Sequence, residues 1–195
     1  NILLFSNGSA AQNSTNDHIY IYKKGDYNGI GKWYMGREIA YVMGYEGIGW
    51  LERSQREKEE NVSKLIQNMG IKPNDTIADI GAGSGYHAFR MAPLANKGMV
   101  YAVDIQTEML MAIENSKETN NIKNIKTILG GEKSVYLAEN SVDKILMVDV
   151  YHEFSFPIEM IKSITIALKP KGELFLIEYS CLLYTSDAAD DRNCV

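Results

Sequence analysis

Cysteine is almost missing from this 195-residue chain: there are two, Cys181 and Cys194, both near the C-terminal end. The body of the chain therefore has no disulfide framework, no cysteine-based metal site and no thiol nucleophile. Proline is also scarce, at 4 residues, and no apolar run approaches the ~20 residues a bilayer span needs. A basic surplus is absent too. Lys and Arg number 20 against 25 Asp and Glu, a formal charge of −5, which speaks against a nucleic-acid or membrane surface as partner. No internal repeat or long low-complexity stretch interrupts the chain. What is present is 45% hydrophobic content in a length that suits one α/β domain.

The most informative stretch is Asp79-Ile80-Gly81-Ala82-Gly83-Ser84-Gly85. Before it, the turn residues Pro73-Asn74-Asp75 introduce a short apolar run, Thr76-Ile77-Ala78, as expected of a buried parallel strand. After it, the chain from Tyr86 is free of glycine and proline as far as Pro93, as expected of a helix. Glycine is required where a chain turns sharply out of a strand and brings bare backbone against a ligand. The spacing separates two cofactor classes. The dinucleotide pattern G-x-G-x-x-G needs glycine at position 86, where this chain has Tyr86.

Further strands are predicted at 100–104, 125–129, 144–148 and 174–178, alternating with helical segments. That order predicts a doubly wound parallel sheet. The second strand ends in Asp104, about twenty residues past the glycine loop, where a carboxylate accepts hydrogen bonds from ribose hydroxyls. An N-cap role for Asp104 is less favoured, because Thr107 already precedes the next helical run. Ile158, Ile161, Ile164 and Leu168 define one face of a helix starting after Pro157. Upstream, Val62, Leu65, Ile66 and Met69 predict a helix running from about Gln55 to Gly70. The charged stretch 53–60 reads as its solvated face. The segment from Tyr20 to Trp50 is rich in Tyr, Trp and Gly, with helical periodicity only over 38–43, and is expected to act as an arm or lid.

The motif D-x-G-x-G-x-G at a strand end resembles motif I of the class I S-adenosylmethionine-dependent methyltransferases. The phrase Met147-Val148-Asp149-Val150-Tyr151-His152-Glu153-Phe154 matches the place of their motif IV, and Leu168-Lys169-Pro170-Lys171-Gly172 resembles their L-K-P-G-G turn, with Lys171 where glycine is usual. Together with Met35-Gly36-Arg37-Glu38-Ile39-Ala40 and Gly49-Trp50-Leu51-Glu52-Arg53, these resemble a bacterial subgroup of the family over roughly 25–179. The resemblance implies a Rossmann-like, mostly parallel sheet lacking its last strands. It implies S-adenosylmethionine as cofactor, held by Asp79, Gly81, Ala82, Gly83, Gly85, Asp104 and Ile105. Glu132 would reach the adenine amine and Asp149 the cofactor's amino group.

Methyl transfer needs alignment of an acceptor nucleophile and exclusion of water. A base, where needed, is best supplied by His152, with Tyr151 and Glu153 as orienting neighbours and packing as its competing role. Asp149, His152 and Glu153 are too clustered to define a metal shell, so no metal site is assigned. His87 reads as a helix-surface residue and Tyr86 as a cover for the cofactor. The expected partner is a small-molecule methyl acceptor, while oligomeric state is not indicated. Alternatives are an NAD-dependent oxidoreductase and a cofactor-binding domain without catalysis; Gly83-Ser84-Gly85-Tyr86 also resembles protein isoaspartate methyltransferases.

The expected organisation is a terminal segment over 1–15, an aromatic arm over 16–54, the Rossmann-like domain over 55–180 and a non-native tail over 181–195. Ile2-Leu3-Leu4-Phe5 followed by small residues resembles the end of a secretory signal, which implies export; without it the expected compartment is the cytoplasm. The tail from Cys181 resembles a translated sequencing adaptor. Its three aspartates against one arginine mean that removing it takes the charge from −5 to −3.

Overall fold

A computed structural model describes residues 19–178. The readings of 1–15 as a signal remnant and of 181–195 as an adaptor-derived tail lie outside the described residues. The chain forms two compact units that divide between Tyr41 and Val42.

The first unit is an antiparallel meander of β1 (Tyr20–Tyr22), β2 (Gly29–Tyr34) and β3 (Arg37–Ala40), in that spatial order. Met35 and Gly36 both take positive φ, 51° and 83°, and join β2 to β3 so that Tyr34 pairs with Arg37. Two consecutive positive φ values are the signature of a tight hairpin whose twist matches its strands. The helix expected over 38–43 is therefore not formed, and β3 occupies most of it. Glu38 shows why. Its carboxylate accepts from the backbone amides of Asp26 (2.7 Å) and Gly31 (2.8 Å), satisfying loop donors that a helix would leave exposed.

The second unit is built on five parallel strands: β4 (Thr76–Ile80), β5 (Met99–Asp104), β6 (Ile125–Leu129), β7 (Val142–Val148) and β8 (Leu168–Ile177). Their spatial order is β6-β5-β4-β7-β8. Chain direction reverses across the sheet after β6, which creates a switch point at the carboxyl ends of β4, β5 and β7. Ile77, Val100, Ala102 and Leu146 face helices α3 (Val62–Asn68), α4 (Tyr86–Met91) and α5 (Thr107–Thr119). Ala78, Ile80, Val103, Ile145 and Met147 face α6 (Pro157–Ala167). Each fully buried Ile or Leu contributes about 1.5–3 kcal/mol, so the two apolar layers fix the register of the strand ends.

Three further differences from the sequence reading have local causes. The predicted single helix from Gln55 is two, α2 (Arg56–Glu60) and α3, because Asn61 between them adopts left-handed φ 50°, ψ 47°. Asparagine tolerates that conformation. The stretch 53–60 is also not purely a solvated face: Arg56 is buried, and so is the side chain of Glu60, with which it pairs. The last strand begins at Leu168 rather than 174, with a register irregularity between Val142 and Lys144 and with Lys171 at φ 69°. Among the described residues β8 is an edge of the sheet, with Leu176 45% exposed.

Candidate functional site at the strand ends

The glycine loop is set by backbone demands. Gly81, Gly83 and Gly85 have φ of 70°, 53° and 85°, all in the left-handed region. The amides of Gly81 and Ala82 both donate to the Val103 carbonyl, at 2.8 and 3.0 Å, tying the loop to the end of β5. A Cβ at Gly81 would run into the Val150 side chain, and one at Gly83 would lie 2.7 Å from Leu51 Cδ1. Neither position admits another residue without displacement.

Two carboxylates close on this loop. Asp104 is buried at the end of β5; its Oδ2 accepts from the Gly83 amide and its Oδ1 from the Gln106 amide, each at 2.9 Å. Burial raises its pKa, opposed by the amides of Gln106, Gly83 and Ile105. Asp79, one residue before the end of β4, is fully buried, which pushes its pKa to about 7, against the pull of the Ala88 amide and the Arg56 charge and with a push from Asp104. Its Oδ2 is buried with no hydrogen-bond partner. An orphaned carboxylate oxygen beside a loop stripped of side chains is what a cationic, hydrogen-bonding ligand would complete.

A strap over 43–52, which contains the short helix α1 (Ile48–Leu51), crosses these ends, and the sequence reading assigned none of its contacts. The Gln106 side chain clasps it from both sides: Oε1 accepts from the Tyr45 amide and Nε2 donates to the Met43 carbonyl, each at 2.9 Å. The Met43 amide donates to Glu153 Oε1 at 3.0 Å. At its other end Glu52 accepts from the Ser84 hydroxyl, and Leu51 covers Gly83. The strap thus links the ends of β5 and β7 to the glycine loop. Its signal in the sequence, Gly49-Trp50-Leu51-Glu52, lacks periodicity and gives no partner.

At the end of β7, Asp149 takes φ 50° and its amide donates to the Ile177 carbonyl at 2.9 Å. Tyr151, His152 and Glu153 follow as one 3₁₀ turn. His152 Nδ1 lies 2.8 Å from Glu178 Oε2, and the other Glu178 oxygen accepts from the Tyr151 amide at 2.7 Å. Glu178, just past β8, is thus the group that orients His152, while Glu153 stands 3.9 Å from Nε2. Burial lowers the His152 pKa, but the Glu178 hydrogen bond and the charges of Glu178, Glu153 and Asp149 raise it on balance. Glu153 is raised by burial and by Asp104 and Glu178, against the Met43 amide and His152.

The remaining predicted residues are dispersed. Ile105 follows Asp104 with its side chain 41% exposed, and Glu132 is exposed in the loop after β6. His87 is not on the surface: it is 5% exposed, with Nε2 unpartnered, and burial together with Arg56 and Arg90 lowers its pKa to about 3. It is a neutral core imidazole. Tyr86 is buried as well, with the Arg56 and Arg90 guanidiniums 4.3 and 3.4 Å from its ring centre, so it packs between cations rather than standing open as a cover. Among the described residues no group of three or more His, Cys, Asp or Glu is arranged to hold a metal, and no helix is long and apolar enough to cross a membrane.

Comparison with known proteins agrees with this geometry. Residues 71–193 match the family described as "Methyltransferase domain". The chain is 28% identical over 88 residues, 45% of its length, to a protein of Methanosarcina mazei named a probable cobalt-precorrin-6B C(15)-methyltransferase (decarboxylating), covering 48% of that protein. It is 29% identical over 124 residues, 64% of its length, to a tRNA U34 carboxymethyltransferase of Desulfotalea psychrophila, covering 37% of it. The chain thus spans about half or less of the length of these curated relatives. Among solved structures, a SAM-dependent methyltransferase from Aquifex aeolicus superposes with a TM-score of 0.63 at 27% identity, over 66% of this chain and 69% of that one.

Proposed function

The chain belongs to the class I S-adenosylmethionine-dependent methyltransferases, and we propose that it transfers the cofactor's methyl group to a small-molecule acceptor at the carboxyl ends of β4, β5 and β7. The observation that carries this reading is the combination of the glycine loop with the orphaned Asp79 Oδ2. When bound, the cofactor supplies a methyl group made electrophilic by its sulfonium. Asp79, Gly81, Ala82, Gly83 and Gly85 form the cradle in this reading. Asp104 presents the remaining lone pairs of a carboxylate already fixed by Gly83 and Gln106 to the ribose hydroxyls.

On the acceptor side, His152 takes a proton through Nε2 while Glu178 holds Nδ1 and stabilises the imidazolium that results. Asp149, Glu153 and Glu178 make this end acidic, which favours a small or cationic acceptor over a polyanion. The strap excludes water from the strand ends. The relatives' names include a precorrin and a tRNA enzyme, so an acceptor screen must contain RNA as well as small molecules.

Calorimetric titration of the chain with S-adenosylhomocysteine and, separately, with NAD tests the cofactor class. Saturable binding of the first alone is expected. Binding of NAD alone would overturn the reading in favour of an oxidoreductase, and binding of neither in a folded sample would favour a domain without catalysis.

A further inference from the structure

Arg56 is a buried cation in an unusual position. It is 6% exposed and sits at the start of α2, just beyond the strap. Its Nε donates to Glu60 Oε2 and its Nη1 to the Leu51 carbonyl, both at 2.8 Å, and its guanidinium lies over the Tyr86 ring. Tyr86 immediately follows Gly85, and Leu51 covers Gly83, so these contacts fix the guanidinium beside the glycine loop. The neighbouring Arg53 differs. It is committed to Glu59, Glu60 and the Trp50 carbonyl. Glu60 is shared between the two arginines, whereas the hydrogen bonds of Arg56 leave its Nη2 uncommitted.

The Arg56 charge acts on both Asp79 and His87. No hydrogen bond joins Arg56 to Asp79 among the described residues; Asp79 Oδ2 has no partner at all. Arg56 is ion-paired with Glu60, but Glu60 is shared with Arg53 and the Nη2 of Arg56 still has no acceptor; Asp79 Oδ2 has no donor. Buried polar groups left short of a partner are costly. The glycine loop and the start of α2 together thus present one acid oxygen lacking a donor and one cationic donor to spare. An α-amino acid carries the complementary pair, an ammonium and a carboxylate two bonds apart on one carbon.

We propose that Arg56 is the receptor for the α-carboxylate of the cofactor's amino-acid end, working with Asp79, which receives the ammonium in place of Asp149, the residue that the family resemblance suggests for that group. This rests on the cofactor reading above and adds to it a residue from before the first strand of the sheet. Glu60 and Tyr86 act as positioning residues that hold the guanidinium plane. Ligands with the adenosyl group but no amino-acid end would not engage Arg56.

The test measures the affinity of the wild-type chain and of Arg56→Gln for S-adenosylhomocysteine and for 5′-methylthioadenosine, which lacks the amino-acid end. Loss of one charged hydrogen-bonding partner should weaken S-adenosylhomocysteine by roughly tenfold to a hundredfold and leave 5′-methylthioadenosine within about twofold of wild type by the same reasoning. An equal fall for both ligands, or no fall, would overturn the proposal. If Arg56→Gln does not fold, the wild-type protein still decides: S-adenosylhomocysteine should bind at least about tenfold tighter than its decarboxylated analogue, and equal affinities would sink the carboxylate receptor. A wild-type chain that binds none of these ligands would instead refute the cofactor reading itself.

Discussion

The two halves of the strand-end site are made differently. At β4 and β5 the geometry is written in backbone: three glycines with positive φ, two amides on the Val103 carbonyl and two on the Asp104 carboxylate. At β7 and β8 it is written in ionisable side chains, with His152 held between Glu178 and Glu153 and the latter also capping Met43. Backbone geometry tolerates few substitutions and suits the part of the ligand that a whole family shares. A side-chain cluster is easily varied, which suits the part that differs from one acceptor to the next.

The largest expected effect comes from damaging the backbone half. Gly81→Ala places a Cβ against Val150 at a φ of 70°, which should cost on the order of 2–4 kcal/mol and abolish S-adenosylhomocysteine binding. Chemical denaturation and titration would show both losses together. Ligand affinity at the wild-type level would mean that the loop is not the cradle.

Asp79→Asn separates binding from stability. The folded-state pKa of Asp79 is about 7 against an ordinary 3.8, so the fold favours the neutral acid. The group costs nothing at low pH; the cost grows as pH rises from the ordinary value and levels off above about 7, where it reaches roughly 4 kcal/mol at most. Asparagine removes that cost, so the variant should be more stable than wild type at pH 8 by on the order of 2 kcal/mol. It should also bind S-adenosylhomocysteine about a hundredfold more weakly. In the wild type, affinity should rise from pH 6 to pH 8 with release of a proton, and the variant should lose that dependence. Buffer-dependent calorimetric heats report the proton directly.

The side-chain half is sharpened by Glu178→Gln. This removes the charge that raises the His152 pKa, so a base-dependent pH–rate profile should move to lower pH while kcat falls roughly tenfold to a hundredfold. Binding of S-adenosylhomocysteine should barely change. An unmoved profile would remove His152 from the reaction. The smallest effect belongs to Lys171→Gly at the entrance to β8. Relief of φ 69° should stabilise the fold by about 1 kcal/mol, read as a rise in melting temperature with no change at either half of the site.

Legibility in the sequence followed the same divide. Strands β4 to β7 and the glycine loop were readable because apolar runs and glycine spacing are local signals. Tertiary partners were not. Glu178 sits 26 residues from His152, and Gln106 meets Tyr45 across 61. His87 looked exposed because helical position alone does not reveal that α4 packs into the sheet. Arg56 was hidden in a charged run in which Lys58 and Glu59 are exposed, and its burial depends on partners the run does not reveal, the Leu51 carbonyl, Glu60 and the Tyr86 ring. The failed helix over 38–43 has the same character: a two-residue turn at Met35-Gly36 outweighed weak periodicity.

The most direct test of the central claim, that the carboxylate at the end of β5 reads the cofactor's ribose, is titration of S-adenosylhomocysteine into Asp104→Asn beside wild type. Asparagine keeps an acceptor for the Gly83 amide and gives up only the bond from Gln106, whereas alanine would remove both along with the carboxylate. The account predicts affinity at least about tenfold weaker with a folded variant whose stability falls by about 1–2 kcal/mol, the cost of one lost hydrogen bond. Unchanged affinity in the folded variant would contradict it.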